Sequence, residues 1–511
     1  MGSKITKNFS FYNADQFKES FSEASPNNVY LFVGEVQSFA NTTNPPTTQD
    51  FSQVVDYDIF NKIIAAKKVQ STDTSFVVPR YDWTANNVYA EYNNRQFMYN
   101  QQFFVYTEDR NVYKCLFNNK GVASTVKPTG TATGIIATSD GYRWRYMYTV
   151  SQSEENKFAT TTHIPVKVIT ANDGSAQYTS QQAAVNGSID VIDVTSGGSG
   201  WQYQTGTFAS VTNSSVFQLS TAANTTADDI YNGSAVYVSS GTGAGLIGTI
   251  KNYTSATRTV TLETGYTTAP TASSTYVVSP KVTISGDGTN ASAFANVNST
   301  GAVNYINVIN RGLNYSYASI AISANSSHGS GANATPYLSP YGGHGSNPRR
   351  ELGGSGVLVS VNMAGNESST LPTNNEIRTF GLLADPLLNT LVSANGTNYE
   401  FTTRLTLTGK SGTFTEDEKV LGTTSSASAN VVSFANTNAT GTTGVLRVLN
   451  IRGEYSQGEN ITTPGGVSAS ISSITTPSVK FYTGEILYIE NKIAITRDIS
   501  QTEEFKFLIG F

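Results

Sequence analysis

The chain has 511 residues and a formal net charge of −5 at neutral pH. Its basic residues are scattered, with Lys67-Lys68 and Arg349-Arg350 as the densest pairs, so the concentrated basic face that a nucleic acid partner requires is missing. No apolar run is long enough to span a bilayer, which excludes the class of proteins that cross membranes on helices.

Residue types favour strands and turns over helices. Charged residues make up 14% of the chain, well below the roughly 25% of an average soluble domain. The 44 Gly, 28 Tyr and 25 Phe, with abundant Thr, Ser and Asn, suit β-strands and turns. We therefore predict a mainly β, multi-domain protein with a β-sandwich-like core, a few N-terminal helices and two inserted β-repeat modules.

Two helices and then strands are predicted in the first part of the chain. Asn13 or Asp15 can cap a short helix that carries Phe17 and Phe21 on one face. Residues 51–69 have apolar residues at helical spacing and two terminal lysines that suit a helix C-terminus. Strands are predicted at 75–79, 103–107, 111–117, 142–150, 235–239, 357–361 and 376–383.

Two of these strands carry residues of chemical interest. Cys115 is the single cysteine, so no intrachain disulfide can form, and its strand predicts a small buried residue. In the strand from Tyr142, four aromatic residues share one face, while Arg143 and Arg145 lie on the other. A core face with outward arginines is favoured, and a protein interface or a stacking platform for sugar or nucleic acid are alternatives.

Two internal repeats occur in the later part of the chain. Ile192–Trp201 aligns without gaps to Ile306–Tyr315, and each copy predicts a strand, a glycine turn and an aromatic residue that packs over the turn. Gly412–Val420 matches Gly453–Ile461, which predicts two β-hairpin units of one small module.

Changes in residue composition and in the spacing of strands and turns divide the chain into five segments. Three are predicted to form one split core of short helices and antiparallel strands, and two are predicted to be inserted modules. The core segments are 1–185, 326–400 and 479–511, and the modules are 186–325 and 401–478. The apolar run Phe505–Phe511 predicts that the last strand belongs to a sheet and does not fray.

Several strings of residues match, in part, the signatures of cofactor-binding or catalytic sites. Gly243–Gly248 matches G-x-G-x-x-G, with Glu263 at the distance of a ribose-binding acid, but the following residues alternate like strands and do not open the required helix. Paired carboxylates of the kind used by glycosidases are most simply solvated faces or caps. These candidate pairs are Asp56/Asp58, Asp190/Asp193 and Glu503/Glu504.

The three histidines, His163, His328 and His344, are not at metal-ligand spacing from one another or from Cys115. His344 lies in Gly-Gly-His-Gly, which is like an esterase oxyanion loop, but no G-x-S-x-G elbow accompanies it. We expect a turn whose glycines adopt positive φ, with a buried polar role at a subunit contact as the alternative. The sequence thus predicts no catalytic, cofactor-binding or metal-binding residue, no cofactor and no enzyme.

Six strings of residues in one order resemble those of a known family. They are Val77–Trp83, Val112–Leu116, Gly134–Tyr146, Ile164–Val166, Ile377–Leu387 and a tail that contains Gly484–Asn491 and Gln501–Glu504. Together they resemble the β-rich, dimeric baseplate wedge protein of T-even-type contractile phage tails, over about half of the chain. The loop Gly342–Gly354 is similar to the version found in cyanobacterial phages.

The resemblance implies a structural virion protein of the tail baseplate that is assembled in the host cytoplasm. It implies a homodimer that contacts other wedge proteins and links wedges during baseplate assembly, without nucleic acid or membrane partners. Large tight interfaces are expected because a virion survives dilution. The inserted modules depart from the T-even pattern and are similar to β-repeats of other phage tail proteins.

Two further function classes stay open. A receptor- or glycan-binding tail protein would use the inserted modules for host-surface contact, with Trp201, Tyr203, Tyr315 and Tyr317 as sugar-stacking residues. A polysaccharide-cleaving enzyme is the third class, but no constellation of residues supports it.

Overall fold

A computed structural model of the chain describes residues 5–23, 27–49, 53–325, 328–367 and 370–511. Strands hold 44% of the residues and helices 8%, which confirms the mainly β, multi-domain class. The chain divides into two compact units, Met1–Val77 with Ser355–Phe511 and Val78–Gly354. These boundaries differ from those of the five expected segments, which stay a prediction.

The described residues form five α-helices and 32 strands. The helices are α1 Lys7–Glu19, α2 Gln53–Lys62, α3 Gln152–Phe158, α4 Ala176–Gln182 and α5 Pro348–Glu351. The strands before the first repeat are β1 Val29–Gly34, β2 Ile63–Lys68, β3 Thr74–Pro79, β4 Phe104–Tyr106, β5 Asn111–Phe117, β6 Ile135–Ala137, β7 Arg143–Thr149 and β8 His163–Pro165. 

The strands of the repeat region are β9 Ile189–Ser199, β10 Gln204–Thr207, β11 Ser210–Val211, β12 Val216–Gln218, β13 Ala235–Ser240, β14 Ile247–Thr254, β15 Thr259–Leu262, β16 Thr275–Ser279, β17 Lys281–Gly286, β18 Thr289–Val297, β19 Val303–Leu313, β20 Ala318–Ser323 and β21 Ser330–Leu338. The remaining strands are β22 Gly356–Ala364, β23 Asn375–Ala384, β24 Asn398–Glu400, β25 Thr403–Thr408, β26 Lys419–Gly422, β27 Ser428–Asn436, β28 Gly444–Arg452, β29 Asn460–Thr462, β30 Ser468–Thr475, β31 Glu485–Arg497 and β32 Thr502–Gly510.

The first unit contains a β-sandwich. Five strands pair in the order β24-β2-β1-β23-β31, and β22 pairs with both β3 and β32. Apolar side chains of both sheets fill one core, among them Leu31 and Leu382 from the first sheet and Val359 and Phe507 from the second. The C-terminal strand is thus part of a sheet, as the apolar run predicts.

The same unit contains a closed six-stranded barrel in the order β25-β28-β27-β26-β29-β30. The two copies of the sequence repeat occupy equivalent places in it, because Val420 and Ile461 are both fully buried in its core. The backbone N–H of Asp417 donates to Val431 at 3.0 Å, and that of Gly458 donates to Ile471 at 2.8 Å. The repeat therefore builds two equivalent halves of the barrel.

The second unit contains a four-stranded sheet, β4-β5-β7-β6, a seven-stranded sheet, β10-β16-β13-β14-β15-β12-β11, and three strand pairs. The repeat copies lie in β9 and β19 and in the turns that follow. Gly198 and Gly312 adopt φ of 61° and 62°, a left-handed conformation that glycine adopts without a steric penalty. The predicted strand and permissive backbone of each copy are therefore confirmed, but the predicted turn at the glycine is wrong, because Gly198 lies within β9 and Gly312 within β19.

Both helix predictions need correction. The first helix begins at Lys7, so Asn13 and Asp15 lie inside it and Phe21 lies beyond its end. The predicted helix over 51–69 is wrong beyond Lys62, where the chain turns into β2. The consecutive β-branched residues Ile63 and Ile64 suit a strand, and pairing with β1 and β24 outweighs the helical spacing.

Candidate functional sites

A buried charged centre lies under the glycine-rich loop of the second unit. Lys114 Nζ on β5 lies 2.5 Å from Glu351 Oε2 at the end of α5, and both side chains are buried. Glu351 Oε1 also accepts hydrogen bonds from the backbone N–H of Gly345 at 2.8 Å and of Asn347 at 3.2 Å. The ion pair therefore fixes the loop and the strand to each other.

The loop has the conformation that its glycines predict. Gly342, Gly343 and Gly345 adopt φ of 85°, 97° and 90°. A Cβ added at Gly343 would lie 2.4 Å from the backbone nitrogen of Val185, so close packing also requires glycine there. The expectation of a positive-φ turn around His344 is confirmed.

His344 is a neutral, buried part of this centre. Burial, with the nearby cations Lys114, Arg145 and Arg311, holds the pKa of the imidazole well below its usual range. Its ring meets that of Tyr92 edge-on at 4.8 Å between centroids. The alternative role at a subunit contact stays a prediction.

The prediction of outward arginines on β7 is wrong for Arg145, which is 2% exposed. Its Nη2 donates to the carbonyl oxygen of Ser180 at 3.1 Å, because helix α4 packs against this face of the strand. Burial lowers the pKa of the Arg145 guanidinium. Asp190, 5% exposed, is hydrogen-bonded to Ser188 Oγ at 2.5 Å, so it is not the solvated carboxylate that its spacing suggested.

The aromatic face of β7 is core. Tyr142, Trp144 and Tyr146 are fully buried, and the first two stack with centroids 5.3 Å apart. Cys115 lies in the same core, and burial raises the pKa of its thiol well above the usual value. Neither a stacking platform nor a reactive thiol is available at these positions.

The aromatic residues of the inserted repeats divide into buried and exposed ones. Trp201 and Tyr315 are 5% and 7% exposed, so they do not offer the sugar-stacking faces proposed for them. Trp201 Nε1 donates to Gly197 of its own turn at 3.1 Å. Tyr317 is 64% exposed, and Tyr203 is partly buried with its hydroxyl hydrogen-bonded to Asn296 at 2.8 Å.

The G-x-G-x-x-G string forms a turn between two strands. Residues 241–246 connect β13 to β14, and Ile247–Thr254 is a strand as the alternation predicts. Since no helix follows the glycines, the pyrophosphate cradle of a dinucleotide site is not built here.

The other paired carboxylates bind cations of the same chain. Glu503 Oε2 lies 3.0 Å from Arg497 Nε and is largely buried, which corrects its expected solvated place, whereas Glu504 is exposed and lies 3.2 Å from Lys506. Asp58 lies 2.9 Å from Lys62, and the side chain of Asp56 lies outside the described residues. In the described part of the chain, no three His, Cys, Asp or Glu side chains are placed to hold a metal ion.

Sequence reasoning missed a cluster of charges between the barrel and β23. The carboxylate of Glu416 accepts a hydrogen bond from the backbone N–H of Glu376, and the guanidinium of Arg378 contacts the carboxylate of Glu376. Arg378 Nη2 also donates to Ser38 Oγ at 3.1 Å. Burial, with the charges of Asp417 and Glu376, raises the pKa of Glu416 to about 7.

One sequence signal marks this cluster. Glu416 and Asp417 stand where the second repeat copy has Gln457 and Gly458. Asp417 adopts φ of 67° at the place where Gly458 adopts 86°. Aspartate is among the residues that adopt this conformation most readily, so the same turn forms in both copies while only the first carries carboxylates at these two positions.

A groove in the first unit has a volume of about 440 Å³ and lies between the loop that follows β1, helix α2 and strand β31. Lys62 on its wall is paired with Glu35 at 2.6 Å and with Asp58 at 2.9 Å, which leaves the wall without a net excess of positive charge. The lining combines apolar, amide and hydroxyl side chains and defines no single ligand class.

The C-terminal strands leave two sheet edges open. β31 and β32 are the terminal strands of their sheets, and no other strand of the described chain pairs with their outer edges. Loop residues cover part of the edge of β31, because Thr48 Oγ1 donates to the carbonyl oxygen of Ile489 at 3.4 Å. The edge of β32 is therefore the more accessible surface for a partner strand.

Comparisons with known proteins do not assign this chain to a family. A scan of protein-family models and a search of curated protein sequences both give no match to this chain. No helix of the described residues has the length and apolar character needed to cross a membrane.

Proposed function

We propose that the chain is a structural subunit of the baseplate wedge of a contractile phage tail. In this role it forms a homodimer and links other wedge proteins during baseplate assembly in the host cytoplasm. It acts through surfaces, without an enzymatic reaction, a cofactor or a nucleic acid partner.

The observation that carries the proposal is that strings resembling the wedge protein, although far apart in the sequence, lie side by side in the fold. Ile377–Leu387 and Gly484–Asn491 are far apart in the sequence and occupy adjacent strands, with Leu382 opposite Tyr488. The string Gln501–Glu504 continues into β32, which pairs with β22. Because these strings build one sandwich, their resemblance concerns a folded surface and not isolated peptides.

The arrangement of side chains fits a role in assembly. The charged groups described above are paired within the chain and mostly buried, so they serve the fold rather than a substrate. The open edge of β32 and the exposed apolar side chains Leu487 and Ile493 on β31 offer contact surfaces.

The test is the place of the chain in finished phage particles. Antibodies against the purified chain should label the baseplate end of intact tails in electron micrographs, and quantitative mass spectrometry should find it in a multiple of six copies per tail. Antibodies against a capsid protein provide the control. Absence of the chain from purified particles would overturn the proposal.

A second candidate is glycan contact by the inserted module 186–325, favoured by the exposure of Tyr317. Replacing Tyr317 by Ala would then slow adsorption of the phage to host cells, whereas replacing the exposed Tyr341 outside the module would not. Equal adsorption by both variants would remove this candidate.

A further inference from the structure

The outer edge of β32 is regular and open. The strand pairs with β22 over nine consecutive residue pairs, from Gly356 opposite Gly510 to Ala364 opposite Thr502, without a register shift. It contains no proline, and no strand of the described chain lies on its other side. Such an edge presents a row of backbone N–H and C=O groups to a partner strand.

We propose that β32 pairs antiparallel with β32 of a second copy of this chain, about a two-fold axis at Phe505. The inference rests on the proposed function in one respect, the expectation that two copies associate. It adds the surface, the strand and the register of that association. The β3-β22-β32 ladder would continue into its counterpart as one sheet.

The faces of the strand limit the register. Phe505 and Phe507 are each 4% exposed and point into the sandwich core, whereas Glu504 and Leu508 point to the opposite face and are exposed. A two-fold axis perpendicular to the sheet keeps each face on its own side. Residues that oppose each other must therefore share a face, so one residue of the strand lies opposite its own copy, with the axis midway between the two. An axis at a residue here means that this residue faces its own copy.

The charges of Glu504 and Lys506 favour one of the registers that keep each face on its own side. An axis at Glu504 or at Lys506 places like charges opposite each other, and an axis at Phe507 places Lys506 opposite Leu508. An axis at Phe505 places Glu504 of each copy opposite Lys506 of the other. Opposite charges at directly opposed positions stabilise a sheet, whereas like charges destabilise it. The sequence Glu-Phe-Lys is thus complementary to itself.

Cysteine pairs test the register directly in the full-length chain. Directly opposed residues bring their Cβ atoms within disulfide range, whereas diagonal neighbours lie roughly 7–8 Å apart. A mixture of Glu504→Cys chains with Lys506→Cys chains should form a disulfide-linked heterodimer under mild oxidation, and each variant alone should form far less. The native Cys115 is buried and serves as the internal control.

Charge reversal gives a second measurement. Glu504→Lys and Lys506→Glu should each weaken the dimer by roughly tenfold in sedimentation equilibrium, and the double reversal should restore it. A dimer in which Lys506→Cys links to Leu508→Cys in preference, or that is indifferent to both reversals, would overturn this register while leaving the proposed function standing. A chain that is monomeric at micromolar concentration, yet present in virions, would overturn the edge pairing and the homodimer, while leaving the proposed place in the baseplate standing.

Discussion

The rings of Tyr488 and Phe507 stack in parallel, with centroids 5.3 Å apart and planes at 9°. Tyr488 lies on β31 of the first sheet and Phe507 on β32 of the second, so this contact joins the two layers of the sandwich. Phe380 packs beside them, 6.2 Å from Phe507. The C-terminal strands thus supply part of the core of the first unit.

Loss of this contact should destabilise the first unit. We expect Phe507→Ala to lower the free energy of unfolding by about 3–5 kcal/mol, since a buried ring leaves a cavity. Leu508→Ala, on the exposed face of the same strand, should cost less than about 1 kcal/mol. Urea unfolding followed by circular dichroism measures both. Equal effects of the two variants would contradict the assignment of faces.

Removal of Phe505–Phe511 should have a larger effect than either substitution. It deletes two core rings, Phe505 and Phe507, and most of the ladder with β22. We expect insoluble protein, or soluble protein that neither unfolds cooperatively nor assembles. A truncated chain with the solubility and assembly of the full chain would show that this prediction is wrong.

The buried pair Lys114–Glu351 should respond asymmetrically to mutation. Lys114→Met leaves a carboxylate buried without its cation and should cost about 3–5 kcal/mol. Adding Glu351→Gln should recover much of this loss, because the amide carries no charge and its oxygen still accepts from Gly345 and Asn347. Lys127→Met, which removes an ion pair on the surface, should have no measurable effect. Chemical denaturation of these three variants and the parent checks this, and a double variant no more stable than Lys114→Met would contradict it.

Glu416 should make stability depend on pH in a defined direction. Its pKa in the folded chain is about 7, raised from the ordinary value of 4.5, so the folded state binds the proton more tightly than the unfolded state. This contribution is complete below about pH 4.5 and is lost as the pH rises through 7. We expect Glu416→Gln to gain roughly 1 kcal/mol over the parent between pH 5 and pH 8, since partial exposure screens the effect.

The repeat supplies a matched control for the Glu416 experiment. Gln457 occupies the equivalent turn of the second copy and is exposed, so a carboxylate there would stay in contact with solvent. Gln457→Glu should therefore leave the pH profile of thermal unfolding unchanged. A parent and a Glu416→Gln variant with parallel profiles between pH 5 and pH 8 would contradict the prediction.

Deletion of the barrel should leave the first unit folded but with a measurably lower free energy of unfolding. Its first and last strands are paired, with Arg404 opposite Thr475, so a short linker can replace residues 404–474. We expect the shortened chain to fold but to lose roughly 2–4 kcal/mol, because Val432 and Leu449 of the barrel pack into the sandwich core. Urea unfolding and the dimer constant check this, and a chain of unchanged stability would contradict it.

Local patterns in the sequence predicted much of the fold. Residues 111–117 form a short, mostly apolar run, and the predicted strand has the bounds of β5. Gly198 and Gly312 marked positions of positive φ, because glycine adopts that conformation without a steric penalty. The internal repeats gave the equivalence of Val420 and Ile461 within the barrel. Each of these features depends on neighbours within about ten residues.

Features that depend on distant residues were not predicted. The helical spacing of residues 51–69 was outweighed by strand partners that lie more than 300 residues away, as at β24. Arg145 looked solvated because its partner Ser180 belongs to a helix 35 residues later. The cluster around Arg378 joins residues from three separate segments. A single sequence does not show which distant residues come into contact in the folded protein.

The pairing of β1 with β23 has a consequence for synthesis of the chain. Val33 lies opposite Phe380, nearly 350 residues later. At roughly 5–20 residues per second, a ribosome needs about 20–70 s to produce that partner. During this time β1 and β2 are outside the ribosome with apolar faces uncovered, while the second unit has been completed. We expect chaperones to protect the N-terminal segment in this interval, because the nascent first unit is prone to aggregate until its partner strands are made.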